Sequence, residues 1–236
     1  GKYSNQWPRA ITAKGLEKFI GVTGLFLGMV VTLPFGYSVI ENVMTDLGKP
    51  EAASAMAGAI LAVAGGVSAV VITGLVKPGL LTWGLGIFGK FTPGAVRGKV
   101  EQFTEAVGAY KGKVGILMLA LANKFVTHFT TAVVYFFTAL AIGVVGAEFW
   151  PVVFGSTIQI LATLLSPTIA GEGAREAFQA LLLKEELGGV APAVLSGALG
   201  FIAAEAATLW GGAFLWTRKG AWRPRFCEVD GEQVDY

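Results

Sequence analysis

Long apolar runs separated by short polar breaks dominate this chain. A helix needs about 20 apolar residues to cross a bilayer, and the runs 19–40, 53–76, 114–142 and 190–216 meet that length. None of them alternates with a period of two between regularly spaced turns, so they read as helices and not as strands of a barrel. In the first run, Gly24 and Gly28 form a small-xxx-small face and Pro34 predicts a kink. The second run is rich in alanine and glycine, which suits packing against other helices.

The most informative stretch is 150–190. An apolar run over 150–165 stops at Ser166-Pro167, loosens through Gly171 and Gly173, and restarts at Ala174 as a short run to 187. Proline lacks a backbone donor and clashes in a continuing helix, while glycine permits turns that other residues resist. Glu172, Arg175 and Glu176 sit at the break. In lipid, broken backbone is tolerated only where protein or a water-filled cavity surrounds it, and charges there mark function. The expectation is a re-entrant or broken helix pair at 166–175 that offers a cavity to a polar substrate. The alternative is an interfacial loop, with the three charges solvated and Glu176 favoured by the helix dipole.

The remaining segments fill in the topology. Residues 79–89 are too few to cross and read as re-entrant or interfacial, with Trp83 at the headgroups. Over 94–113, apolar positions recur at three- and four-residue steps among Arg97, Lys99, Lys111 and Lys113, which predicts an amphipathic helix lying on the membrane. Basic residues collect in 1–18, 77–113 and 218–225, whereas 41–52 and 143–149 are poor in them. The positive-inside rule therefore puts both termini in the cytoplasm, in a cytoplasmic (inner) membrane. Parity closes only if 150–187 leaves and returns to the outer side. The division is a basic cytoplasmic segment 1–18, a transmembrane domain 19–216 and a cytoplasmic tail 217–236.

Composition fixes the class. Of 236 residues 54% are hydrophobic and 14% charged, against about 25% charged in soluble domains, so the fold class is all-α, a polytopic membrane bundle. A net charge of +2 is too small for a nucleic-acid partner, and the single cysteine, Cys227, excludes an internal disulfide. The six tryptophans lie mostly near span ends, as interface anchors do. There is no hydrolase elbow, phosphate loop or zinc spacing, and no cofactor is expected.

Four polar positions inside apolar runs remain. Asn123, Lys124 and His128 lie in 114–142, with 124 and 128 on one helix face. They form either a stripe toward a cavity or a lysine that snorkels to the interface. His128 is a candidate pigment or metal ligand, or a packing residue. Glu205, mid-span, must be protonated, paired or facing water, and Arg175 or Lys124 is a candidate partner.

Phe103-Thr104-Glu105-Ala106-Val107-Gly108-Ala109-Tyr110-Lys111, a long apolar span, and then Ser166-Pro167 followed by Gly171-Glu172-Gly173-Ala174-Arg175-Glu176 with a short helix and Leu187-Gly188 resemble the flippase-like membrane domain of lysylphosphatidylglycerol synthases. That pattern has a small residue and proline, a Gly-Gly-x-Gly turn, then Arg-Glu opening a helix. Gly171, Gly173, Arg175 and Glu176 match it; Ala170, Ile169 and Glu172 stand where glycine, proline and an apolar residue are usual. The resemblance covers about 100–216 and implies a protein that binds or flips a polar lipid headgroup. In synthase members a separate soluble domain transfers the aminoacyl group. Nothing after Trp216 is long enough for that domain, so no enzyme activity is expected. The substrate-binding set expected is Gly171, Glu172, Gly173, Arg175, Glu176, Glu205 and Lys124, with membrane lipids as partners. The rival from another class is a non-catalytic structural subunit, bound to partner membrane subunits or to further copies of itself.

Overall fold

A computed structural model describes residues 7–77, 113–166, 171–217, 227–229 and 232–234, with isolated positions 79, 80, 83, 94, 97, 98, 101 and 108. Seven α-helices run through the described residues: α1 (Trp7–Thr32), α2 (Tyr37–Asp46), α3 (Ala53–Val76), α4 (Val114–Ala141), α5 (Phe149–Leu165), α6 (Ala174–Leu183) and α7 (Val190–Thr217). The tail adds a two-stranded antiparallel hairpin, β1 (Cys227–Val229) with β2 (Glu232–Val234). Four helical segments are long and apolar enough to cross a membrane: Lys14–Thr32, Pro50–Val76, Val114–Ala141 and Val190–Gly212. The chain is an all-α integral membrane protein.

Three of these segments follow the apolar runs closely, but the first does not. The run 19–40 is not one kinked span: α1 ends at Thr32 and the chain turns through 33–36 before α2 begins. Two contacts explain the turn. The Thr32 hydroxyl donates back to the Gly28 carbonyl at 2.7 Å, and the Phe154 side chain fills the place a Gly36 side chain would take. The stretch expected as loop 41–52 is also part helix, because Val39, Ile40, Val43 and Met44 lie on the face of α2 that packs into the core.

Gly24 and Gly28 do provide close approach, though to different partners. A Cβ at Gly24 would lie 2.9 Å from the Phe125 backbone nitrogen of α4, and one at Gly28 would lie 3.4 Å from Thr157 Cγ2 of α5. Two apolar clusters hold opposite ends of α3 and α4. One gathers Ala53 and Ala57 of α3 with Ala139, Phe154 and Leu183; the other joins Leu16 and Ile20 to Val71, Leu75, Leu117 and Leu121.

The broken pair is α5 and α6, packed antiparallel. Gly155 faces Leu183, whose Cγ would stand 3.0 Å from a Cβ at 155, and eight residues further along α5 Thr163 faces Gly171. At 1.5 Å per residue α5 extends about 25 Å and α6 about 15 Å, so the chain runs in along α5 and returns part of the way along α6. Positions 167–170, inside this break, lie outside the described residues. So does most of the interfacial segment expected at 79–89 and the amphipathic helix expected at 94–113. The positions described there are helical, and Arg97 donates to Glu101 at 2.9 Å, one turn on.

Candidate functional site

The site forms where α6 begins. Gly171 and Gly173 take left-handed backbone, with φ of +70° and +82°, which only glycine adopts without strain. They turn the chain so that Glu176 folds back over the helix start, its Oε2 accepting from the Gly173 N–H at 2.8 Å. Arg175 donates from Nε to Glu176 Oε1 at 2.9 Å, and its Nη2 contacts the same oxygen. Across from it on α7 lies Phe201, whose ring centroid is 4.0 Å below the guanidinium carbon. A cation over an aromatic face is stabilised by the ring quadrupole.

Arg175 is nevertheless incompletely satisfied. It is 6% exposed, and its Nη1 has no hydrogen-bond partner. One turn along the same face, Gln179 is 0% exposed, and neither its amide nitrogen nor its oxygen is partnered. Gln179 lies against Gly197 of α7, where a Cβ would come within 3.2 Å of its Cγ. The pairs 179/197 and 175/201 run in opposite chain directions, so α6 packs antiparallel to α7 as well as to α5.

On α5, Gln159 is 1% exposed; its amide nitrogen donates to Thr163 Oγ1 at 2.8 Å, while its oxygen is unpartnered. The register set by Gly155/Leu183 and Thr163/Gly171 puts Gln159 level with Ala177, midway between Arg175 and Gln179 along α6. Tyr135 of α4 closes the fourth wall. Its ring lies where a Gly200 side chain would go, beside Gln159 and within electrostatic reach of Arg175, Glu176 and Glu205. Gln159 is ten residues into α5 and Phe201 eleven into α7, about 15 Å and 16 Å of rise. That is near the middle of a hydrocarbon layer of about 30 Å. Each polar group buried there without a partner costs about 1–3 kcal/mol, and a cluster of them in a native fold calls for an explanation.

Comparison with protein-family models, curated proteins and solved structures finds no match.

Of the residues expected to bind substrate, the fold brings Gly171, Gly173, Arg175 and Glu176 together. Glu172 is exposed, outside the enclosed layer. Glu205 lies one turn beyond Phe201, exposed and within reach of Tyr135. The pairings considered for it do not form. Arg175 is committed to Glu176, and Lys124 reaches Glu17 of α1 at 3.2 Å. Lys124 stands eleven residues, about 16 Å of rise, from Tyr135, so it belongs to an α1–α4 contact and not to this site. His128 packs toward α1, its Nε2 3.9 Å from where a Gly21 Cβ would be. Among the described residues no group of three His, Cys, Asp or Glu side chains could hold a metal ion. A separate groove of about 320 Å³ between α1, α3 and α5, lined by Phe26, Met29, Ile60 and Leu161, is wholly apolar.

Gln159, Gln179 and Tyr135 were not singled out from the sequence. The signal was present for the two glutamines: each is a carboxamide inside an apolar run, and Gln179 follows Arg175 by one helical turn.

Proposed function

We propose that this chain is a flippase-like membrane protein that binds or translocates the polar headgroup of a phospholipid at the start of α6. The observation that carries this is the buried Arg175 guanidinium with a free Nη1, held at a helix N-terminus. The helix dipole favours an anion there, beside the Glu176 carboxylate that already takes the Gly173 N–H. The planar guanidinium fork matches a phosphate, which a lysine does not reproduce. The resemblance of Gly171, Gly173, Arg175 and Glu176 to the flippase-like membrane domain of lysylphosphatidylglycerol synthases supports the same assignment. The Lys/Arg bias supports a cytoplasmic membrane with both termini inside, so α5 enters from the outer side and the break lies at its deep end.

The test is native mass spectrometry of purified wild type, Arg175→Ala and Arg175→Lys with their co-purifying lipids. Losing one partner of a desolvated charge contact costs about 2–5 kcal/mol, so Arg175→Ala should retain at least about tenfold less phospholipid while remaining folded. Arg175→Lys should not restore it. Equal retention by all three would sink the headgroup reading.

One observation favours the rival, a structural subunit of a larger membrane assembly. Gly58, Gly65 and Gly66 of α3 have nothing within 4 Å of a built Cβ, and Leu61, Val63 and Val70 beside them are exposed. A partner helix would fit that face. Partner chains that co-purify in the same spectra, with no lipid dependence on Arg175, would support it.

A further inference from the structure

We infer that the second half of α7 is a docking surface for a transmembrane helix of another protein, one that pairs an arginine or lysine with Glu205. Every residue over 205–212 is exposed, so the helix has no packed face for two turns. The stretch lies within the candidate span Val190–Gly212, where lipid or another helix must cover it.

Two features favour a helix over lipid. The first is residue size. Ala206, Ala207, Gly211 and Gly212 make up half of 205–212, and a Cβ at either glycine would meet nothing within 4 Å. Small residues let helix backbones approach closely, whereas α4 exposes Ile116, Leu119, Val126 and Phe137. The second feature is charge. Glu205 stands fifteen residues from Val190 and seven from Gly212, about 22 Å and 10 Å of rise. Helical side chains lean toward the N-terminus, and the nearer end of this segment is C-terminal, so the short Glu205 chain leans away from the nearer water. Lys124 is the contrast: its nearer end is N-terminal, and its ammonium reaches Glu17 at 3.2 Å. Among the described residues the Glu205 carboxylate has no hydrogen-bonded or ion-paired partner, and the Thr208 hydroxyl donates only to its backbone carbonyl. A carboxylate at that depth calls for a cation. A second copy of this chain does not supply one. Arg175 is committed to Glu176 and Lys124 to Glu17, and Lys18 stands four residues into its segment, near the surface. The occupant is therefore a helix of a different chain.

The experiment reconstitutes the full chain, with a fluorescent donor at its C-terminus, in phosphatidylcholine vesicles. Acceptor-labelled synthetic helices of leucine and alanine carry one arginine or one leucine a third of the way along, the depth of Glu205. Energy transfer should show wild type binding the arginine helix at least about tenfold more tightly than the leucine helix. Glu205→Gln, nearly isosteric and uncharged, should erase that difference. Glu205→Lys should turn the preference toward a helix carrying glutamate; if it fails to fold, the glutamine variant decides. Gly212→Leu lies two turns along the same face in open space, so it should leave the chain folded and weaken the arginine helix. Equal binding of both helices to wild type overturns the inference and leaves Glu205 protonated against lipid. Association between copies of the chain that Glu205→Gln abolishes would give the surface to a second copy and overturn the separate partner.

Discussion

Gly171 lies so close to Thr163 that a Cβ at position 171 would stand 3.0 Å from the Thr163 Cα. Thr163 in turn receives the Gln159 amide hydrogen bond, so the turn before α6 and the carboxamide on α5 are positioned by one contact. Gly173, two residues on, shares the left-handed backbone but has open space around it. The two glycines therefore separate strain from crowding. Gly171→Ala incurs both and should destabilise the protein by on the order of 3 kcal/mol. Gly173→Ala incurs backbone strain alone, about 1 kcal/mol. Thermal melts in detergent check the difference, and equal losses would show that the Thr163 contact does not constrain the turn.

At the other end of α6 a polar latch ties it to α2. Lys184 Nζ reaches Asp46 at 2.8 Å, and the Glu186 carboxylate accepts from Ser38 at 2.8 Å and Asn42 at 3.3 Å. The hydrogen bond to Asp46 raises the Lys184 pKa above its ordinary 10.5. A raised lysine pKa stabilises the fold below the unfolded value, and that contribution is lost only as pH rises through the folded one. Lys184→Met should therefore lower the melting temperature slightly and by a constant amount from neutral pH to the ordinary lysine range. The gap to wild type should close at more alkaline pH. A gap that shrinks on acidification toward pH 6 instead would assign the effect to another group.

The latch also fixes sidedness. Leu47 follows Asp46 and is exposed, and Glu185 follows Lys184 and is exposed as well, so both must face the same side of the membrane. Lys113, at the start of α4, must face the other. In a Cys227→Ser background, Leu47→Cys and Glu185→Cys should react with an impermeant thiol reagent added outside intact cells, and Lys113→Cys should not. Opposite labelling of Leu47→Cys and Glu185→Cys would mean that the stretch from α5 to α6 crosses once without returning, against the latch between Lys184 and Asp46. Labelling of Lys113→Cys alone would keep the hairpin and invert the orientation.

The sequence by itself determined the class, three of the four crossing segments and the place of the break. Those features come from composition, run length, and the local effects of Pro167, Gly171 and Gly173, all of which act within a few residues. It also supplied Arg175 and Glu176, because charge in an apolar run is legible without partners. What it could not supply was who meets whom. The end of α1 at Thr32 depends on Phe154 occupying the space at Gly36, more than a hundred positions away. Lys124 and Glu205 are both charges within apolar runs, yet the fold sends Lys124 to Glu17 and leaves Glu205 exposed. The buried carboxamides Gln159 and Gln179 come to lie on facing helices because small residues, Gly155 and Gly197, let α6 pack antiparallel against both α5 and α7. That register sums many weak contacts along three helices, and no single stretch of sequence contains it.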